Sequence, residues 1–120
     1  ERTAIRETSE ETGVELSSSG WSLGRLAQVA PSHPTLPRIT ITPYVFGVPA
    51  ETEANADSVE VDQVLWVTLS FLLDPKARGT TTIQLPEGPT DFPCYWVDGL
   101  VVWGLTFRIL SEFVEFAGRL

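Results

Sequence analysis

The chain has 120 residues, 42% of them hydrophobic, and a formal net charge of −8. This length predicts one domain with its own core, and the shortage of Lys and Arg argues against nucleic acid as a partner. The single cysteine, Cys94, excludes an intrachain disulfide framework and favours a reducing, cytoplasmic compartment. The C-terminal apolar region is interrupted by charged residues, which argues against a membrane span.

The first predicted element is a helix with a crowded acidic face. Residues three and four apart share one side of a helix, so Glu7, Glu10 and Glu11 project together. Arg6 stands one turn before Glu10 and can form an ion pair with it. Gly13 follows at the point where a left-handed closing residue is expected.

Three neighbouring carboxylates repel each other, because a like-charge pair at helical spacing costs roughly a few tenths of a kcal/mol. A bound divalent cation would offset this repulsion. Mg²⁺ and Mn²⁺ take hard oxygen ligands, usually one or two carboxylates together with waters and substrate phosphates. The alternative is a solvated acidic face that binds no ligand.

Strands and loops are predicted next along the chain. Residues 21–30 predict a weakly patterned strand, and residues 38–48 predict a clearer one because they are rich in β-branched and aromatic side chains. Between them, the proline-rich segment 31–37 predicts a loop that carries His33, the only histidine. A lone loop histidine is usually a solvent residue, although loops also contact substrates. Residues 49–58 then predict a polar, acidic loop.

The remaining predicted elements are three strands and two helices. A broad apolar stripe at helical period near the C-terminal end indicates a helix buried against a sheet. Strands between two such helices predict an α/β fold, an α/β/α sandwich with a mixed sheet. In chain order these elements are a strand over 59–67, a helix over 68–73 stopped by Asp74-Pro75, strands over 81–85 and 92–97, and a helix from Leu100 onward.

The order of residues 6–14 resembles the second half of the box that defines the Nudix hydrolases, G-x5-E-x7-R-E-U-x-E-E-x-G-U, with U an aliphatic residue. Thr8 stands where an aliphatic residue is usual. The opening Gly and first Glu of the box are not present, since only five residues precede Arg6 and Glu1 is out of register. The chain therefore resembles a Nudix domain that begins inside its own motif. The matching residues are Arg6, Glu7, Glu10, Glu11, Gly13 and Val14.

The resemblance implies a single Nudix domain over residues 1–120 that hydrolyses a diphosphate linked to another group, with Mg²⁺ or Mn²⁺ as cofactor. It implies that Glu10 and Glu11 are metal ligands and that Glu7 is a ligand or the base that activates water. Arg6 would orient the carboxylates by ion pairing. Nudix enzymes often take a further metal-ligating Glu from the region just ahead of a later strand, and Glu60 is the candidate here.

Three later stretches together look like the coenzyme A pyrophosphatase branch of this family: residues 41–45, residues 65–75, and residues 95–96 followed by 102–106. Thr68 stands where that branch usually has proline. The implied substrate is coenzyme A or an acyl-CoA, cleaved to 3′,5′-ADP and 4′-phosphopantetheine or its acylated form. Arg38 and His33 are the candidate substrate-binding residues. The basic groups available for a 3′-phosphate are Arg25, Arg38, Lys76 and Arg78.

Several alternatives stay open at this point. The enzyme could act instead on ADP-ribose, a dinucleotide polyphosphate or a nucleoside triphosphate. The chain could be a non-catalytic Nudix-type module that binds a nucleotide or a protein, or the acidic helix could be purely structural. The expected partner is a small nucleotide-diphosphate substrate, with no nucleic acid and no membrane, and a homodimer is left open.

Overall fold

The computed structural model describes residues 1–31 and 39–119. The chain forms two compact units, unit 1 from Glu1–Ala27 and Thr42–Trp66 and unit 2 from Gln28–Ile41 and Val67–Leu120. The single domain over residues 1–120 stays a prediction. None of the helices in the described ranges combines the length and apolarity that crossing a bilayer requires.

Unit 1 contains two helices and one strand pair. In chain order these are α1 (Arg2–Thr12), α2 (Leu16–Ser19), β1 (Trp21–Arg25) and β2 (Tyr44–Gly47). As predicted, α1 ends at Gly13, which has a left-handed φ of 75° and donates its N–H to the carbonyl of Ser9 at 2.9 Å. The two strands pair antiparallel, and the indole of Trp21 covers the position that a Cβ would occupy on Gly47.

The uncharged side of α1 borders an open cavity of about 310 Å³ within unit 1. The hydroxyl of Thr8, which lines this cavity, donates to the carbonyl of Ala4 at 2.8 Å, and Thr12 donates to Thr8 at 2.7 Å. Both hydroxyls are therefore satisfied inside the helix. This explains how a threonine can stand on an apolar helix face where an aliphatic residue is usual.

Unit 2 contains a three-stranded antiparallel sheet in the order β3-β4-β5. Tight turns connect its strands, and the second of them places Asp98 and Gly99 at positive φ, as a two-residue hairpin turn requires. The elements are α3 (Leu69–Leu73), a 3-10 turn (Pro75–Ala77), β3 (Arg78–Leu85), β4 (Gly88–Val97), β5 (Leu100–Trp103) and α4 (Gly104–Ala117).

The core of unit 2 lies between β4 and α4. Tyr95 is fully buried, and its ring lies 5.0 Å from that of Phe107 at an angle of 39°. Cys94, the preceding residue of β4, is also fully buried, and its thiol forms no disulfide. The core cluster consists of Leu72, Ala77, Tyr95, Val97, Phe107 and Val114.

The predicted combination of helices and strands is confirmed, as is the short helix after Thr68. All strand pairs in the described residues are antiparallel, so the parallel pair that a mixed sheet requires is not among them. The sandwich with a mixed sheet therefore stays a prediction. The strand predicted over 38–48 is shorter, with only Tyr44–Gly47 in the ladder and an isolated bridge between Val29 and Ile41.

Two predicted elements are wrong. Residues 59–67 do not form a strand, because Ser58 organises a turn: its hydroxyl accepts from the N–H of Glu60 at 3.1 Å, and its carbonyl accepts from Val61 at 3.1 Å. The C-terminal helix begins at Gly104 and not at Leu100, because the preceding four residues pair with β4 as strand β5.

Thr68 caps helix α3, since its hydroxyl accepts a hydrogen bond from the N–H of Phe71 at 3.2 Å. Replacing Thr68 by alanine is expected to lower the free energy of unfolding by about 0.5–2 kcal/mol, because a helix-end donor loses its partner. Urea denaturation measures this loss. Thr68→Ser keeps the hydroxyl and is the matched control. Equal losses in both variants would contradict the capping role.

Candidate functional site

Arg6 joins two of the predicted site carboxylates on the surface of α1. Its guanidinium lies 3.3 Å from Oε1 of Glu7 and 3.6 Å from Oε1 of Glu10, which confirms the predicted pairing with Glu10. The three side chains are 46% to 61% exposed. Ion pairs this accessible contribute roughly 0–1 kcal/mol to stability. These ion pairs therefore add little to the stability of the fold.

A loop closes the C-terminal end of α1 next to these carboxylates. The N–H of Asp57 donates to the carbonyl of Glu11 at 3.0 Å, and the N–H of Asn55 donates to the carbonyl of Thr12 at 2.9 Å. Carbonyls in the last turn of a helix have no partner within the helix. The acidic loop over 49–58 supplies donors for two of them and thereby fixes the turn that carries Glu11.

Asp57 is the residue of this region that the sequence interpretation missed. A Cβ built on Gly13 would collide with the Asp57 carboxylate in its present position, so the glycine lets this exposed side chain lie close to the helix end. Asp57 thus lies beside the end of the acidic helix. The glycine at the helix end was the available signal, because a residue without a side chain permits the close approach of another segment.

The donor chemistry of α1 suits a hard divalent cation, although the described residues do not gather a complete ligand set. Among residues 1–31 and 39–119, no three His, Cys, Asp or Glu side chains are grouped where they could hold one metal ion. Mg²⁺ usually takes only one or two protein carboxylates and completes its shell with water and phosphate oxygens. One or two such ligands would come from the α1 carboxylates Glu7, Glu10 and Glu11.

The other predicted site residues are not brought into this cluster. Glu60 lies exposed in the turn after Ser58, and it forms no three-residue acidic group with the α1 carboxylates in the described ranges. His33 and Arg38 lie outside the described residues. The assembled part of the candidate site is therefore Arg6, Glu7 and Glu10.

No protein-family model and no curated protein matches this chain. The likeness to Nudix hydrolases consequently depends on residues 6–14 and on the three later stretches of sequence.

Proposed function

We propose that the protein is a Nudix-type hydrolase that uses Mg²⁺ or Mn²⁺ to cleave a nucleoside diphosphate linked to another group. Coenzyme A or an acyl-CoA is the proposed substrate, and the reducing cytoplasm is the proposed compartment. The proposal includes the α/β/α sandwich with a mixed sheet. The observation that carries it is the Arg6-centred carboxylate cluster on α1, in a helix that ends at Gly13 in the required left-handed conformation.

Each residue of the cluster has a defined part in this reaction. Arg6 holds the carboxylates of Glu7 and Glu10 and limits their rotation. Glu10 and Glu11 would hold the ion, and Glu7 accepts the proton of the attacking water or serves as a further ligand. A divalent ion, when bound, neutralises the diphosphate and makes a water molecule more acidic.

The hydrogen bonds from Asn55 and Asp57 support this proposal in a second way. They bind the carbonyls of the last turn of α1. The backbone that carries the side chain of Glu11 is therefore fixed. A carboxylate on a fixed backbone loses less conformational freedom when it binds an ion. The loop would therefore act as a positioning element for the carboxylates.

Incubating the full-length protein with coenzyme A and Mg²⁺, with and without EDTA, tests the proposal. We expect 3′,5′-ADP and 4′-phosphopantetheine to form only when metal is present. Glu11→Gln should raise the Mg²⁺ concentration for half-maximal rate by at least about 10- to 100-fold, the loss that even an indirect metal contact causes. Glu53→Gln makes the same charge change on the exposed loop, and we expect it to leave the metal requirement unchanged.

Other outcomes of this assay separate the alternatives. Cleavage of ADP-ribose but not of coenzyme A would support the proposed active site and reject coenzyme A as the substrate. Nucleotide binding without hydrolysis of any diphosphate would favour the non-catalytic module. Equal effects of Glu11→Gln and Glu53→Gln would reject the role of the α1 carboxylates.

A further inference from the structure

Unit 2 contains an open cleft of about 510 Å³ that uses no residue of the α1 cluster. Apolar side chains of α3 and α4 form part of its lining, of which Leu73 is 42% exposed while Leu72 and Val114 belong to the buried core of unit 2. Arg78, the first residue of β3, also lines the cleft. The cleft thus combines an apolar wall with a cationic group.

The guanidinium of Arg78 is held against a rigid aromatic surface. Its central carbon lies 5.5 Å from the ring centroid of Tyr95 and 5.7 Å from that of Phe107. One of its N–H groups donates to the Tyr95 hydroxyl at 3.3 Å. Tyr95 is fully buried and Phe107 nearly so, so the surface beneath the guanidinium is fixed. A cation stacked in this way loses little further freedom when it binds a ligand.

Arg78 has donors to spare, because a guanidinium carries five N–H donors and the Tyr95 hydroxyl takes one. Within the described residues, no carboxylate forms an ion pair with Arg78. The other ionic groups of the cleft are already engaged. Asp74 accepts from the N–H of Lys76 at 3.0 Å, and Glu115 pairs with Arg119 at 2.8 Å.

The charges around the cleft favour a singly charged ligand. Asp74 and Glu115 oppose Arg78 and Arg119, so the lining has no net charge before a ligand binds. A dianion such as a phosphate monoester would meet repulsion from both carboxylates with only one guanidinium available to it. A carboxylate carries one negative charge, and its two oxygens match the donor fork of a single guanidinium.

We propose that this cleft binds an amphiphilic monocarboxylate. The carboxylate pairs with Arg78, and the alkyl chain lies along Leu73, above the core residues Leu72 and Val114. The apolar wall selects the chain, and the stacked guanidinium selects the charged end. This site shares no residue with the α1 cluster, and its test requires neither a divalent metal nor turnover.

Isothermal titration of the full-length protein with octanoate, in buffer without divalent metal, tests the proposal. We expect octanoate to bind at millimolar concentration or below and at least about tenfold more tightly than octanol, because only octanoate can accept charge-assisted hydrogen bonds. Arg78→Gln should weaken octanoate binding by about 10- to 100-fold. Arg78→Lys should recover only part of the loss, since lysine keeps the charge but not the fork.

Arg25→Gln is the matched control, because it removes the same charge from an exposed residue of β1. We expect it to bind octanoate like the unaltered protein. Thermal melting of each variant confirms that it is folded, and the comparison of octanoate with octanol on the unaltered protein needs no variant. Equal affinity for octanol, tighter binding of octyl phosphate, unchanged binding in Arg78→Gln, or no binding of octanoate at millimolar concentration would each overturn the proposal.

Discussion

Replacing Phe107 by alanine is expected to lower the free energy of unfolding by about 3–5 kcal/mol, the range for removing a buried aromatic side chain. Phe107 is only 9% exposed, and its ring lies 5.0 Å from that of Tyr95 in the core of unit 2. Its removal leaves a cavity between α4 and β4 and takes away part of the surface beneath Arg78. Urea denaturation of the full-length protein measures the loss.

Phe116→Ala is the matched control, because it removes the same side chain from the same helix at a position that is 56% exposed. Substitutions at exposed positions usually change stability by less than about 0.5 kcal/mol. The difference in unfolding free energy between the two variants therefore measures the contribution of burying the Phe107 ring. Similar losses would show that α4 does not pack on β4 through Phe107.

The location of this core was partly predictable, but the start of α4 was not. Leu100 was placed on the helix because the apolar run that begins there fits a helical stripe. A short apolar run fits a buried strand equally well. The deciding feature is the Asp98-Gly99 turn, whose positive φ angles return the chain onto β4. Asp-Gly is a strong hairpin signal, and it was present in the sequence. Gly104, at φ 73°, then separates the strand from the helix.

The segment over 59–67 shows a different limit of sequence patterns. Its alternation of apolar and acidic residues predicted a strand, but alternation supplies no hydrogen-bonding partner for the backbone. The side chain and carbonyl of Ser58 instead bind the N–H groups of Glu60 and Val61 and hold a turn. Val59 is fully exposed, so the apolar half of the pattern contributes no burial at that position.

The candidate site also contains one contact that sequence patterns predict and one that they do not. The pairing of Arg6 with Glu10 follows from local helix geometry, and the sequence predicted it correctly. The approach of Asn55 and Asp57 to the end of α1 joins segments that are far apart in the chain, and no periodicity encodes such a contact.

Replacing Gly13 by alanine is expected to lower the free energy of unfolding by about 1–2 kcal/mol. This is the cost of a residue with a side chain in the left-handed conformation that Gly13 adopts at φ 75°. The added Cβ also meets the carboxylate of Asp57, but this exposed side chain can rotate away at a cost of about 0.5 kcal/mol. Urea denaturation measures the total. Faster hydrogen exchange at the amides of Asn55 and Asp57 would show that the loop has left the helix.

A double-mutant cycle with Asp57→Ala separates the two causes. This substitution removes the carboxylate that the new Cβ would meet but keeps the N–H that donates to Glu11. We expect Asp57→Ala alone to change stability little, because the residue is exposed. In the Gly13→Ala background it should restore about 0.5 kcal/mol, the low end of the range for residues in contact, and the backbone cost should remain. Strict additivity would mean that the Asp57 carboxylate does not lie against Gly13. The hydrogen bonds to Glu11 and Thr12 are tested by hydrogen exchange at the amides of Asn55 and Asp57 in the unaltered protein. If these amides exchange without protection, the fixed position of Glu11 loses its support, and the role of the loop in holding the candidate site must be abandoned.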